Sequence, residues 1–305
     1  MSFTDASLTA LRVFRAVAER GTFSAAAAAL GYTQSAVSRQ VASLERAAGS
    51  PLLERHPTGV RLTPAGQVVL RNAAAVIDRI DATARELSGL PEERAVVRLG
   101  WFASAGAVLI PRALAALQRS HPGITVLSRE GSTTALLRAL RAGTVDLAVV
   151  ASSAPFRALD CEKPPLLMDT LTERSLRIAV PANHPLAREE TVDVADLHGQ
   201  SWIGGVGNER VFGVWPGLDE RPEIVHSARD WLAKLQMVAA GLGITTLPAA
   251  LSGAVPAGVR VLAVRGGPLE ARRVQLARLP QPLTEPVARL AEALRAAAVE
   301  ADGTH

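Results

Sequence analysis

Residues 21–66 read GTFSAAAAALGYTQSAVSRQVASLERAAGSPLLERHPTGVRLTPAG, from Gly21 to Gly66. The punctuation of this stretch sets the fold around it. A short Ala-rich helix runs to Leu30, with Ser24 as its expected N-cap and Gly31 as its stop. Thr33 caps the next helix, which spans Gln34 to about Ala48 and is closed by Gly49. On it Val37, Val41, Leu44 and Ala48 recur at i, i+4, i+7 and i+11, one buried stripe. A short helix, a tight turn at Gly31-Tyr32 and a second helix form a helix-turn-helix. Upstream, Leu8, Leu11, Phe14 and Val17 share the face of a first helix that Gly21 ends. Downstream, Pro51, Pro57 and Gly59 break the chain. Leu52-Leu53 and Val60-Arg61-Leu62 then flank a turn, so a small β-hairpin, a wing, follows.

With its apolar stripe buried, helix 34–48 shows Gln34, Ser35, Ser38, Arg39 and Arg46 on its opposite face, with Thr33 at its start. Gln pairs bidentately with adenine and Arg with guanine, while hydroxyls reach bases or phosphates. The plain alternative is a solvated face on a three-helix bundle. The turn and the hairpin favour double-stranded DNA; charge alone does not decide, since an Arg-rich surface can simply be solvated, but it agrees: residues 1–65 carry seven arginines against four carboxylates, a surplus of three within a net charge of +4. A basic end on a near-neutral body suits a polyanion.

Thr63-Pro64 opens a long helix to about Ser88, with Val69, Ala73, Val76, Ile80 and Leu87 at nearly seven-residue spacing. A helix of that length with one apolar seam pairs with its own copy or packs on its own domain. Gly89, Pro91 and Glu92-Glu93-Arg94 read as a hinge. From Val96 strands and helices alternate: strand 96–100, helix 111–119, strand 124–128, helix 133–142, strand 146–150. A second set has strands 176–180, 201–203, 224–227 and 244–247 and a helix 230–240. Strands near 259–264 and 272–279 and a helix 285–299 end the chain. This pattern is an α/β fold with a parallel sheet in two lobes and a cleft between them. The expected boundaries are 1–62 for the winged helix-turn-helix and 63–90 for the linker and dimerisation helix. The effector-binding domain is 91–305, with lobe I at about 95–160 and 266–305 and lobe II at about 161–265.

The N-terminal segment resembles that of LysR-type transcriptional regulators. The match runs through Phe14, Gly21-Thr22-Phe23-Ser24, Ala26-Ala27, Leu30, Thr33 to Gln40, Leu44-Glu45, Gly49, Pro51 to Arg55 and Leu62 to Gly66. It continues through Pro111, His121-Pro122-Gly123, Glu130-Gly131, Gly143 and Asp146-Leu147-Ala148. Further on it takes in His184-Pro185-Leu186, Asp196-Leu197 and Val238 to Gly243. It is loosest at 205–222 and 265–305. The resemblance implies a two-lobed effector domain like the type 2 periplasmic-binding proteins and dimers assembling to homotetramers. It also implies promoter DNA as partner, with RNA polymerase a candidate further one. The wing tip His56-Pro57-Thr58-Gly59 departs from many relatives by lacking an arginine, which leaves His56, Arg55 and Arg61 as its candidate DNA contacts.

In such folds ligands bind between lobes, at strand C-termini and helix N-termini. Ser104 follows the first strand of lobe I. Ser132 and Thr133 begin a helix, where the family's first lobe meets its inducer, although Ser132 also suits an N-cap. From lobe II, Gly204-Gly205, Ser227 and Arg229 are placed to close over a small anion, with Arg229 as a bidentate clamp or a surface ion-pair partner. A small-molecule inducer or co-repressor is expected, and no other cofactor.

An enzyme reading finds little. The six histidines are dispersed with no i, i+4 pair, so no metal site shows. No nucleophile elbow, Walker loop or Rossmann fingerprint occurs; Gly204-Gly205-Val206-Gly207 is a lone glycine cluster. Cys161 is the one cysteine, which excludes an intrachain disulfide, fits a reducing cytoplasm and suits inert packing better than redox sensing. Asp5 breaks any apolar leader, and no apolar run reaches membrane-spanning length. An architectural DNA-binding protein has no need of a two-lobed body, and an enzyme with autoregulatory DNA binding lacks a catalytic constellation. Both fit less well than a ligand-controlled regulator.

Overall fold

The structure, a computed structural model, describes residues 3–57, 59–87, 95–153, 156, 159–160, 162, 165–206, 213–216, 218, 221–266 and 271–302. Thr58 of the wing tip, the hinge from Gly89 to Arg94, Cys161, Gly207 and His305 lie outside the described residues. The chain opens with α1 (Leu8–Arg20), α2 (Phe23–Leu30) and α3 (Gln34–Ala48). Each begins on a hydroxyl that accepts a first-turn N–H: Ser7 from Ala10, Thr22 from Ala25 and Thr33 from Ala36. Such a cap stabilises a helix by about 1 kcal/mol. The cap of α2 is therefore Thr22 and not Ser24, which already sits inside the helix. Ser24 instead donates its hydroxyl to Gln34 Oε1 at 3.3 Å. Val13, Val17, Ala26, Val37 and Val41 close one core. Leu11, Phe14, Leu44 and Leu52 close a second, which continues into the next helix.

The wing is β1 (Leu53–His56) paired antiparallel with β2 (Gly59–Leu62). Glu45 Oε1 accepts the N–H groups of Leu52 and Leu53, which fixes where the wing leaves α3. Helix α4 (Pro64–Leu87) follows, with the Thr63 hydroxyl accepting from Gly66 N. Its 24 residues span about 36 Å. The expected seven-residue seam is split by the structure. Val69 and Ala73, with Leu70 and Ile77, are buried in the chain's own N-terminal core. Val76 and Ile80, with Val68, are exposed at 46%, 40% and 50%. The side chain of Leu87 lies outside the described ones. The apolar residues of α4 thus fall on two sides of the helix, one set in the chain's own core and the other exposed.

The two-lobed α/β domain begins with β3 (Ala95–Trp101), α5 (Leu109–Ser120), β4 (Ile124–Glu130), α6 (Thr133–Arg141) and β5 (Leu147–Ser153). Strands β4, β3 and β5 are parallel, in that order. The Asp146 carboxylate accepts from Arg98 N at 2.7 Å and from its guanidinium at 2.9 Å, which fastens β3 to the start of β5. Strand β6 (Leu167–Pro181) is the long member. Its first half lies antiparallel to β12 (Ala271–Arg278), which also pairs with β5. Its second half pairs with β10 (Thr245–Pro248) and β11 (Val259–Arg265). The sequence reading placed a strand only at 176–180. The first half alternates polar residues on both faces, Asp169, Thr170, Thr172, Glu173 and Arg174, because it is a half-exposed ribbon crossing between lobes. Lobe II adds β7 (Thr191–Asp193), β8 (Ser201–Gly204), β9 (Glu223–Ser227) and α7 (Trp231–Ala239). The chain returns through α8 (Glu285–Asp302), packed on α5 over the lobe I core.

The N-terminal domain leans on lobe I of its own chain. Ala142, just past α6, is fully buried in the same core as Phe14, Leu70 and Ile77. The Glu19 carboxylate meets the Arg129 guanidinium at 2.6 Å.

Candidate functional site

Helix α3 presents its polar residues as the stripe requires. Val37, Val41 and Leu44 are buried, Ala48 and Ser38 half-buried, and Thr33, Gln34, Ser35, Arg39 and Arg46 exposed. Two contacts order the first turn. Thr33 and Ser35 share a hydroxyl hydrogen bond of 3.0 Å, and Ser24 holds the Gln34 amide. The first turn of α3 therefore offers an ordered amide and hydroxyls, with Arg39 one turn further along, which is the geometry a recognition helix needs in a major groove.

The wing sits differently. Arg55 lies over the Phe23 ring, 5.4 Å from its centroid, so its cation is folded back onto α2. Val60 N donates to Gly21 O at 2.9 Å, pinning the hairpin to the end of α1. His56, Gly59, Val60 and Arg61 share a cavity with Arg138 and Arg141 of α6. His56 and Arg61 are exposed, and they stand at the junction with the effector domain. Arg141, 8% exposed, forms a bidentate pair with Asp160.

In the effector domain the candidate residues divide. The Ser132 hydroxyl accepts from Ala135 N at 3.3 Å as the N-cap of α6. The Thr133 hydroxyl donates to Ala151 O at 3.3 Å and joins α6 to β5. Both hydroxyls are thus occupied in holding lobe I. Gly204 and Ser227 are register partners at the C-terminal ends of β8 and β9, and Ala228 N donates to Gly204 O at 3.1 Å. Gly204 and Gly205 are buried, while Ser227 and Arg229 are exposed. Ser104, 8% exposed, lies in a turn after β3. Of the seven candidates it alone lines the apolar cavity between the lobes, together with Pro248 and Ala249 of lobe II and Arg174 and Arg272 of the crossover strands. Sequence reasoning missed those four. Arg174 and Arg272 fall where neither strand could be read as facing a cavity.

Among the described residues no group of three or more His, Cys, Asp or Glu is placed to hold a metal, and no helix is long and apolar enough to cross a membrane. In lobe II His184 has its pKa lowered from the ordinary 6.5 by burial, against a hydrogen bond with Gln200 that raises it.

A winged helix-turn-helix, a long connecting helix and a two-lobed α/β body define a class: DNA-binding regulators that carry their own effector domain. Residues 8–67 match the family described as bacterial regulatory helix-turn-helix protein, lysR family. Residues 91–299 match the LysR substrate binding domain. The chain belongs to the LysR family of transcriptional regulators and is not an enzyme. It is 32% identical to a probable hydrogen peroxide-inducible genes activator of Mycobacterium avium, over 79% of this chain and 78% of the relative. Full-length OxyR from Pseudomonas aeruginosa shares the fold, with a TM-score of 0.63 and 23% identity over 96% of this chain and 94% of that one. CbnR solved with its target DNA shares it too, with a TM-score of 0.54 and 23% identity over 96% of this chain and 99% of that one.

Proposed function

We propose that this regulator reads promoter DNA with the first two turns of α3, works as a homodimer that pairs into a tetramer, and is switched by a small anionic effector between its lobes. The observation that carries the reading is the two-sided character of α3: Val37, Val41 and Leu44 buried, Gln34, Ser35, Arg39 and Arg46 exposed. Thr33 and Ser38 flank the same face. Wing residues Arg55, His56 and Arg61 are secondary contacts in this reading. Arg55 must leave Phe23, and His56 and Arg61 must turn from the α6 side, to reach a minor groove. Work on promoter DNA belongs in the cytoplasm, and RNA polymerase is the natural further partner.

Pairing is supported by the exposed apolar row on α4, Val68, Val76 and Ile80. Two-fold pairing there sets two recognition helices on an interrupted palindrome. Exposed Leu127 on the edge strand β4 and exposed Leu232 on α7, at 58% and 63%, offer apolar surface for pairing effector domains. The cleft-facing ends of β8 and β9, with Gly204, Gly205, Ser227 and Arg229, face Ser104, Ser132 and Thr133 of lobe I in this reading. The test is an affinity measurement on the DNA upstream of the gene and of its divergent neighbour, with and without metabolites. Binding that no metabolite alters would leave an architectural protein, and no specific binding would remove the reading.

A further inference from the structure

Lobe I sets one cation on the boundary of the DNA-binding domain. Arg138 of α6 lies against Gly21, so closely that a Cβ there would stand 2.5 Å from Arg138 Nη1. Gly21 ends α1 just before α2 begins, and its carbonyl accepts from Val60 N of the wing at 2.9 Å. Arg138 therefore sits where the start of α2, the wing and lobe I meet. It shares there a crevice of about 410 Å³ with His56 and Arg61 of the wing. Two carboxylates line the same crevice, Asp160 and Glu162. Arg141 holds both, Asp160 as a bidentate pair and Glu162 at 3.6 Å. Arg61 and Arg138 are exposed, and neither makes an ion pair among the described residues. The crevice thus keeps a positive surplus that its own acids do not cancel.

In a helix-turn-helix the recognition helix lies in the major groove and the helix before it crosses the sugar-phosphate backbone. With α3 in the major groove and the wing at the next minor groove, one phosphodiester strand runs between α2 and the wing. Ser24 of α2 donates to Gln34 Oε1 at 3.3 Å, and Gly21 is three residues away, at most about 11 Å along the chain. Arg138 thus stands close to the first turn of α3, on the side where that strand passes. We propose that Arg138 of lobe I binds a phosphate of this strand, with Arg61 of the wing beside it, so that the two-lobed body itself holds DNA. A guanidinium meets phosphate through charge-assisted, commonly bidentate hydrogen bonds, and such a contact adds affinity without reading sequence. A small free anion would meet the same chemistry. The exposure of His56, Arg61 and Arg138, and their continuity with the DNA-reading domain, favour a passing polymer over an enclosed metabolite. The proposal rests on the reading of α3 as the recognition helix. It also gives α6 two ends with work to do, because the same helix starts at Ser132 and Thr133, where that reading places the effector.

The experiment uses full-length protein and measures affinity for the upstream DNA and for a scrambled counterpart across a salt series. Arg138→Gln is expected to weaken binding to both DNAs roughly three- to tenfold and to lower the salt slope by about one, with base preferences kept. Arg138→Lys keeps the charge and should restore most of the loss. Thr134→Glu leaves Arg138 in place but adds an anion at an exposed position of the same crevice, and should also weaken both DNAs. Neutral methylphosphonates, placed one at a time along a half-site, locate the contact. One position should weaken wild type and leave Arg138→Gln indifferent. Melting temperatures should stay near that of wild type. A purely structural role at the junction would instead lower the melting temperature and leave the salt slope alone. Inorganic phosphate and pyrophosphate should give no saturable thermal shift. An unchanged salt slope in Arg138→Gln, no methylphosphonate position that distinguishes it from wild type, or saturable pyrophosphate binding lost in a variant that still holds DNA normally would each overturn the proposal. A wild type that prefers the upstream DNA while Arg138→Gln matches it refutes only this contact. A wild type with no such preference refutes the reading of α3 beneath it.

Discussion

The Glu19 carboxylate lies 2.6 Å from the Arg129 guanidinium, across the junction between the DNA-binding domain and lobe I of the same chain. Glu19 lies in the last turn of α1, two residues before the wing's anchor at Gly21, and Arg129 also donates to Thr144 Oγ1 at 2.9 Å. The Glu19 side chain is 14% exposed and that of Arg129 40%, so solvent screens the pair in part. A double-mutant cycle of Glu19→Ala and Arg129→Ala, read by urea unfolding, should show coupling of about 0.5–1 kcal/mol. Strict additivity of the two single changes would mean that the domains do not hold each other through this pair.

Gly59 turns the wing with φ +132, and a Cβ there would collide with Gly21 O. Gly59→Ala is therefore expected to lower stability by about 1–3 kcal/mol and to unpin β2 from α1. A melting curve settles the first part. Loss of protection of the Val60 amide in hydrogen exchange settles the second. A variant with wild-type melting would show that the wing is not held at Gly21.

Val76→Asp with Ile80→Asp alters two exposed positions on α4, so the N-terminal core should survive. The expected outcome is a folded protein that light scattering finds dissociated at micromolar concentration and that binds its operator far more weakly. A double variant that stays a DNA-binding dimer would place the pairing surface elsewhere.

Burial lowers the His184 pKa below 6.5, while the Gln200 hydrogen bond opposes the shift. The folded state thus binds fewer protons than the unfolded chain in the window from 6.5 down to the depressed value. The contribution of His184 to stability is complete above 6.5 and declines as pH falls through that window. Gln200→Ala removes the opposing effect, so the imidazole should titrate at lower pH than in wild type. An NMR titration of the His184 ring checks it; a shift upward would reverse the assignment of causes.

The helix-turn-helix was legible because its signals are local: capping hydroxyls, left-handed glycines at 21, 31 and 49, and a 3.6-period stripe. The error at Ser24 is local too, since Thr22 and Ser24 are both competent caps and only packing chooses between them. On α4 the same periodicity could not say which side of the seam meets the chain's own core, because that depends on where α1 and α6 lie. The crossover half of β6 escaped because a half-exposed ribbon with polar residues on both faces carries no apolar alternation. The lining of the inter-lobe cavity escaped for a related reason. Arg174 and Arg272 are nearly a hundred positions apart in sequence, and only the register of β6 with β12 brings them opposite each other.

In the proposed function the exposed face of α3 reads base edges. Fluorescence anisotropy with the upstream DNA, its scrambled counterpart and single-base variants, repeated across a salt series, tests it for wild type and Gln34→Ala. Each lost bidentate base contact costs roughly 1–3 kcal/mol, and phosphate contacts make affinity fall steeply with salt. Gln34→Ala is expected to weaken binding by about that amount, to relax preference at one base pair per half-site, and to leave the salt slope and the melting temperature unchanged. Wild-type affinity with unchanged base preferences in Gln34→Ala would contradict it.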